Sequence, residues 1–178
     1  MYHGFIRSYF NTHSINLYLT MNYKINSEIL KACEVQLCYR PKVKISDRPH
    51  ITSSKDIYLF LKENQIFDPN TVEHREFFKI LFLNSANRLL GVMHHTEGTL
   101  MGTPIDIRHI MQAAILANAK CLILVHNHPS GLCTPSVQDD SITLQIKNAC
   151  KFFEMQILDH LIISQYSYYS YADNGRIF

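Results

Sequence analysis

The sequence lacks paired cysteines, a long apolar run and a strong excess of charge of one sign. Its five cysteines are an odd number, and none of them forms a CxxC pair. Neither a disulfide framework nor a thiolate zinc site is therefore indicated. Free thiols without such a pattern are typical of a reducing compartment, so we predict a cytoplasmic protein.

No apolar run approaches the roughly 20 residues that a membrane-spanning helix needs. Polar side chains interrupt the first twenty residues, so they do not form a signal peptide and we expect no membrane association. The net charge of +2 is too small to indicate nucleic acid or membrane binding by itself. Met21 is a second candidate start, and the sequence leaves open whether Met1 or Met21 begins the native protein.

What the chain has is the composition of a globular protein. It contains 178 residues, of which 47% are hydrophobic and 18% charged. This predicts one domain with a core and a modest extension. We place the extension at residues 1–49, including an extended, partly paired arm over 34–48, and the domain at residues 50–178. Nothing in the sequence predicts the oligomeric state.

The pattern of apolar residues predicts the order of helices and strands. A hydroxyl cap at 52–54 opens a helix that runs to about Asn64. Residues 76–94 resemble a β-hairpin, and a helix follows Asp106. Next come a buried strand at 120–125, a helix opened by Ser136, a strand at 156–163 and a last strand near 166–172. The helix after Ser136 has a predicted apolar face of Ile142, Ile146, Ala149 and Phe153. This order predicts an α/β fold, mainly one sheet with helices packed against it.

One short segment carries most of the chemical information. His126 and His128 follow the buried strand, and Asp139 comes eleven residues after His128. Side chains two apart on an extended segment point the same way, so both imidazoles can reach one ion. Two histidines, a carboxylate and an open fourth position are the ligand set of a catalytic zinc site. We therefore predict Zn²⁺ as the cofactor, with these three residues as its ligands.

Hydrolysis at such a site also needs a general base outside the ligand set. Glu76, at the mouth of the neighbouring hairpin strand, is the best placed acid by position, although alone it resembles an ordinary surface acid. Ser136 is a candidate donor to an oxyanion. Ser136 and Asp139 also form the pattern of a helix capping box, and the two roles do not exclude each other. We interpret His94 and His95 as structural, because adjacent strand residues point to opposite faces.

The pattern HxHP, six residues, Ser, two residues, Asp resembles the JAMM (MPN-plus, JAB) metalloprotease motif. The wider sequence is similar to the RadC family of JAB-domain proteins over roughly residues 50–178. The shared segments are Glu76-Phe-Phe-Lys-Ile-Leu-Phe-Leu-Asn84, Gly98-Thr99, Arg108, His126-Asn-His-Pro-Ser-Gly131, Pro135-Ser136, Leu158-Asp-His-Leu-Ile162 and Ala172-Asp-Asn-Gly175.

The resemblance implies a JAB/MPN-type mixed sheet flanked by helices. It also implies that Glu76 activates a zinc-bound water and that Ser136 steadies the oxyanion. The expected activity is zinc-dependent hydrolysis of a peptide or isopeptide-like amide, with a protein or peptide as substrate. Full-length members carry a helix-hairpin-helix region, which this sequence does not show. Such proteins are traditionally labelled DNA repair proteins, a label that no residue of this chain supports by itself.

Two other functions stay open at this stage. The first is a non-enzymatic JAB-fold adaptor that associates with DNA-processing or mobile-element proteins. The second is DNA contact through the basic residues of segment 40–48, although lysines on an exposed strand also block edge pairing. The chain has no HExxH motif of zincins. The element order is similar to that of nucleobase deaminases, but the HxE and PCxxC motifs are missing.

Overall fold

The computed structural model of this chain describes residues 42–98 and 105–177. Most of the predicted extension, residues 1–41, lies outside the described residues, and so does the choice between Met1 and Met21. The Thr99 of the family-like Gly98-Thr99 pair lies outside them too. The domain boundary near residue 50 stays a prediction.

A mixed β-sheet forms the centre of the described part of the chain. Its strands are β1 (Phe77–Leu83), β2 (Leu89–Glu97), β3 (Cys121–Asn127), β4 (Gln156–Ile163) and β5 (Tyr168–Ser170). The spatial order is β2-β1-β3-β4-β5. β3 and β4 run parallel, and the other neighbouring pairs are antiparallel. The mixed sheet confirms the predicted fold class.

Three α-helices flank the sheet in the described residues, and each is preceded by a residue whose side chain caps its first turn. They are α1 (Ser54–Glu63), α2 (Ile107–Leu116) and α3 (Val137–Phe152). The capping side chains belong to Ser53, Asp106 and Ser136. Each cap satisfies a backbone N–H that has no partner inside the helix. None of these helices is long and apolar enough to cross a bilayer.

The two faces of the sheet bury separate apolar cores. On one face, Ile57 and Leu61 of α1 pack against the odd-numbered residues of β1 and β3. On the other, α2 and α3 cover the even-numbered residues, such as Ile80 and Leu124. The alternation follows from the two-residue period of a strand. His126 continues the even-numbered series of β3, so its side chain lies beneath α3.

Some predicted boundaries differ from the structure. β3 runs to Asn127, two residues beyond the apolar run, because Phe78 of β1 pairs with His126 and Ile163 of β4 pairs with Asn127. β2 extends to Glu97. The predicted arm is not extended throughout, since Ile45–Asp47 forms a short 3₁₀ helix. The Arg48 guanidinium donates two hydrogen bonds of 3.1 Å to the carbonyl of Val43, which closes this turn.

The buried face of α3 is also offset from the predicted one. Its buried residues are Asp139, Thr143, Ile146 and Cys150. Phe153, the last residue of the predicted apolar face, follows the helix and is 48% exposed, so it lies outside the buried face. Two polar residues, Asp139 and Thr143, take part in the buried face. Their side chains point from the helix toward the sheet beside His126.

Candidate metal centre

The three predicted ligands meet where β3 ends and α3 begins. The Nε2 atoms of His126 and His128 lie 3.0 Å apart. Asp139 places Oδ1 at 3.0 Å from His126 Nε2 and Oδ2 at 3.5 Å from His128 Nε2. Among the described residues, these three side chains form the group of His, Cys, Asp or Glu residues that could hold a metal ion. The convergence predicted from the sequence is therefore present.

The start of α3 orients the carboxylate of Asp139. Ser136 donates to Asp139 Oδ2 through its backbone N–H at 2.7 Å and its hydroxyl at 2.6 Å. In return, Ser136 Oγ accepts from the Asp139 N–H at 3.1 Å, which completes a capping box. Because these contacts occupy Oδ2, the other oxygen, Oδ1, is left facing His126. The capping box thus also serves the ligand set.

A chain of buried hydrogen bonds determines which nitrogen of His126 carries the proton. Thr143 Oγ1 lies 2.5 Å from the carbonyl oxygen of Asp139, which can only accept. The single hydroxyl proton is therefore donated there, and Thr143 Oγ1 accepts from His160 Nδ1 at 2.6 Å. His160 Nε2 then accepts from His126 Nδ1 at 2.8 Å. It follows that Nε2 of His126 has no proton and presents a lone pair.

The same reasoning applies to His128. Its Nδ1 lies 2.7 Å from the carbonyl oxygen of Leu132, so Nδ1 carries the proton and donates it. Nε2 of His128 is then also a lone pair. A metal-binding histidine typically donates from its other ring nitrogen in this way. Both Nε2 atoms are therefore available as possible metal ligands.

Two lone pairs and an ionised carboxylate repel one another at about 3 Å unless a cation lies between them. When that cation is a proton, His128 can hold it, because the hydrogen bond to Asp139 outweighs burial and raises the pKa of His128. Burial raises the pKa of Asp139, but the interaction of its carboxylate with the two neighbouring histidines and the hydrogen bond from Ser136 outweigh burial and hold this pKa well below its usual range. These three side chains therefore favour a positive charge between them, either a proton or a metal ion.

Aromatic rings and burial hold the histidines in place. The ring of Phe78 stacks on His126 with 5.9 Å between centroids. Tyr171 stacks on His160 at 4.8 Å. Complete burial lowers the pKa of His160 well below the ordinary value, so this ring stays neutral. A neutral His160 is what the hydrogen-bond chain to His126 requires.

Glu76 immediately precedes β1, at the same end of the sheet at which His128 follows β3. The antiparallel register that pairs Phe78 with His126 runs toward Glu76 and His128. The two side chains are close enough that Glu76 contributes to raising the pKa of His128. Glu76 is half-buried and is not part of the candidate ligand group. This position agrees with a base outside the ligand set, and that role stays a prediction.

His160 and Thr143 are the partners of the ligand set that the sequence pattern did not assign. The motif Leu158-Asp-His-Leu-Ile162 shows a histidine in a buried strand, but only the pairing of Leu124 with His160 places it next to His126. Thr143 had a readable signal. It follows Asp139 by four residues and so lies on the same side of α3, one turn further along.

The remaining candidates lie outside this group. His95 accepts from the Asp106 N–H at 3.0 Å and packs near His109, in agreement with the structural interpretation of His94 and His95. Cys133 in the loop after His128 is a free, partly exposed thiol, and its sulfur approaches Ser167. Neither His95 nor Cys133 belongs to the candidate ligand group.

The fold and the site together define a mixed α/β domain with a candidate His-His-Asp metal centre. Comparison with known proteins identifies the family. The RadC-like JAB domain family matches residues 51–176. A UPF0758 protein of Flavobacterium johnsoniae is 39% identical over 125 residues, which are 70% of this chain and 52% of the relative. The chain thus spans about half the length of that curated relative. This chain belongs to the RadC-like JAB domain family.

Proposed function

We propose that this chain is a zinc-dependent hydrolase of the JAMM type that cleaves an amide bond in a peptide or isopeptide-like substrate. The observation that carries the proposal is the meeting of the Nε2 atoms of His126 and His128 with the carboxylate oxygens of Asp139 at separations of 3.0–3.5 Å. Three protein ligands leave a fourth position for water, as in catalytic rather than structural zinc sites.

The donor atoms fit zinc in kind and in spacing. Zinc accepts imidazole nitrogen and carboxylate oxygen at about 2.0–2.2 Å, and tetrahedral angles then place neighbouring ligand atoms about 3.3–3.6 Å apart. His126 Nε2 lies 3.0 Å from both His128 Nε2 and Asp139 Oδ1, slightly closer than this spacing. His128 Nε2 lies 3.5 Å from the other carboxylate oxygen, Oδ2. A hard cation such as Mg²⁺ prefers an oxygen set, which this site does not offer.

In the proposed reaction each polar residue has a separate task. A bound zinc ion supplies a water of lowered pKa and polarises the substrate carbonyl. Glu76 accepts the proton of the attacking water and passes it to the nitrogen of the leaving amine. His160 and Thr143 keep the ligand lone pair of His126 directed into the site.

Ser136 has a proposed second task beside its role as helix cap. Its hydroxyl donates to Asp139 Oδ2 in a partly buried contact, and Ser136 as a residue is exposed. Rotation of this hydroxyl would aim its proton at a developing oxyanion, while the Ser136 backbone N–H still holds Oδ2. Ser136 therefore serves the carboxylate first and the oxyanion during turnover.

We also propose that the protein resides in the cytoplasm, which is a reducing compartment. Cys121 and Cys150 are buried free thiols, and Cys133 is a free thiol in the loop beside the site. Burial raises the pKa of both Cys121 and Cys150, the latter to about 11, so these two stay protonated and unreactive. The proposed partner is a protein or peptide substrate.

The test uses purified protein and a randomised library of fluorescence-quenched peptides. We expect about one zinc per chain in the wild type, and loss of that zinc in His126→Ala and Asp139→Ala. Glu76→Gln should keep the zinc and lose the hydrolysis, because the amide cannot accept a proton. Glu73→Gln is the matched control, since this exposed acid lies in the same loop and should retain both.

Two results would contradict the proposal. A Glu76→Gln variant that hydrolyses the library as fast as wild type would show that the base is misassigned. A wild type that binds no zinc, even when zinc is added, would favour the adaptor function instead.

A further inference from the structure

Asn127 stands between the two histidine ligands, and the proposed reaction gives it no task. It is completely buried at the end of β3. Since neighbouring strand residues point to opposite faces, its side chain projects away from the site, toward the loop that precedes β1. A buried amide in such a place normally has its hydrogen bonds satisfied, so its partners indicate what it does.

The partners of Asn127 are backbone groups on both sides of Glu76. Its Oδ1 accepts from the N–H of Phe77 at 2.8 Å. Its Nδ2 donates to the carbonyl of Arg75 at 2.7 Å and to that of Val72 at 2.6 Å. One amide therefore binds the peptide unit before Glu76 and the peptide unit after it.

A further hydrogen bond secures Glu76 at its own carbonyl. The Glu76 oxygen accepts from the N–H of Gly98 at 2.8 Å. The backbone of Glu76 is thus held by Asn127 on two sides and by the end of β2 on a third. The antiparallel register that pairs Phe78 with His126 brings this backbone opposite His128.

We propose that Asn127 is a positioning residue that sets the location of Glu76 relative to the metal ligands. The inference rests on the proposed function, because it assumes that Glu76 acts as the base. Asn127 is covalently bonded to both His126 and His128, so its side chain ties the base to the strand that carries the ligands. Any displacement of β3 carries the base along with the ligands.

The chemistry of the amide explains why asparagine suits this position. Its two N–H donors serve two carbonyls, and its oxygen serves one N–H. An ionised aspartate offers no donor and would place negative charge against the carbonyls of Val72 and Arg75. Alanine would leave the buried Val72 carbonyl and the partly buried Arg75 carbonyl and Phe77 N–H without this partner.

The first test compares Asn127→Ala with Glu76→Gln and a matched control. The control is Asn84→Ala, which removes an asparagine whose Oδ1 accepts from the N–H groups of Ala86 and Arg88 at the other end of β1. Two readouts are the visible absorption spectrum of the Co²⁺-loaded proteins and the separate kcat and KM on the quenched peptide library.

We expect Asn127→Ala to bind one metal ion per chain and to reproduce the Co²⁺ spectral change of Glu76→Gln. Its kcat should fall by at least about tenfold with KM within about threefold of wild type, because misplacement of a catalytic group by about 1 Å costs up to about 100-fold in rate. Asn84→Ala should retain the wild-type spectrum and kcat even if it unfolds more easily.

Folded Asn127→Ala with the wild-type spectrum and kcat would overturn the inference, provided that Glu76→Gln changes both. If Glu76→Gln itself changes neither, the assignment of the base fails first, and the two failures are thereby distinguished.

A second variant covers the case in which Asn127→Ala does not fold. Glu76→Asp withdraws the carboxylate by one carbon–carbon bond, about 1.5 Å. A backbone held in place cannot follow, so kcat should fall at least about tenfold, as for Glu76→Gln. If Glu76→Asp keeps kcat within threefold of wild type, the Glu76 backbone is mobile and the positioning role is wrong.

Discussion

At the residue scale, the site is governed by where protons can reside. Thr143 has one hydroxyl proton, and the nearby Asp139 carbonyl can only accept it. This single constraint passes through His160 to His126 and leaves a lone pair on the ligand nitrogen. A residue outside the candidate ligand group thereby determines which nitrogen of His126 is available to a metal ion.

Substitution of Thr143 tests this chain of hydrogen bonds. Thr143→Val keeps the shape of the side chain and removes the hydroxyl, so His160 is no longer held in one tautomer. We expect zinc affinity to fall by about 10- to 100-fold, as is typical for partners of ligand histidines. Competition titration with a fluorescent zinc chelator measures the change. Thr143→Ser keeps the hydroxyl and should stay near wild type, whereas equal losses in both variants would refute the tautomer argument.

Lys79 is a second residue whose charge is unusual, because it lies buried within β1. Its ammonium group donates to the carbonyl of Ile66 and lies 4.3 Å from the ring centroid of Phe67. Burial lowers the pKa of Lys79 from 10.5 to about 8, although the charge of Glu97 opposes this. The folded protein therefore releases this proton at a lower pH than the unfolded chain does.

The sign of the pH effect follows directly. Between pH 8 and 10.5 the unfolded state binds more protons at Lys79, so this residue makes stability rise with pH. We expect the free energy of unfolding of wild type to increase by about 1–3 kcal/mol relative to Lys79→Met over this range. Urea unfolding at each pH measures it. The exposed Lys55→Met variant should show no such pH-dependent difference from wild type. If the difference in free energy of unfolding between wild type and Lys79→Met did not change with pH, the pKa of Lys79 would not be lowered by folding.

At the element scale, the start of α3 combines a helix cap with a metal ligand. Ser136 and Asp139 exchange hydrogen bonds in a capping box, and the same contacts turn Oδ1 toward His126. The cap of α1 is similar in form, since Ser53 accepts from the Asp56 N–H at 3.1 Å. Only the α3 cap includes a candidate ligand.

These two caps provide a matched pair of variants. Ser136→Ala and Ser53→Ala should each lower the free energy of unfolding by about 1 kcal/mol, the usual effect of losing an N-cap. Only Ser136→Ala should also weaken zinc binding, because it removes one of the two hydrogen bonds that hold Asp139 Oδ2. Metal-free unfolding and zinc titration measure the two effects separately. If Ser53→Ala weakened zinc binding as much, general destabilisation would account for both results.

Much of the secondary structure was predicted correctly from the sequence. β4 has the predicted boundaries, and β1 and β2 form the predicted hairpin, because the apolar run of each strand is clear in the sequence. The approach of His126 and His128 was also predicted from their spacing, since two histidines on one side of a strand point together. The approach of the partner His160 was not predicted, because it depends on the β3–β4 register, which shifts between Leu122 and Ile123. A long-range pairing of this kind leaves no local signal.

At the scale of the whole molecule, one face of the described sheet only packs against a helix, whereas the other also carries the candidate metal centre. One face of the sheet packs against α1 and is closed by apolar residues. The other face carries α2 and α3 over a second core, and the candidate metal centre lies where that core reaches the end of β3. Ligands from a central strand and a packed helix are held by both cores. Zinc binding should therefore stabilise the folded state, with the effect growing as zinc exceeds its dissociation constant.

The central claim is that His126, His128 and Asp139 share one zinc ion. X-ray absorption at the zinc edge, on protein loaded with one equivalent and freed of excess metal, tests it most directly. We predict about four nitrogen or oxygen neighbours at about 2.0–2.2 Å, with an imidazole signal from two histidines that is lost in His126→Ala. A sulfur neighbour at about 2.3 Å, or an unchanged spectrum in His126→Ala, would contradict the account.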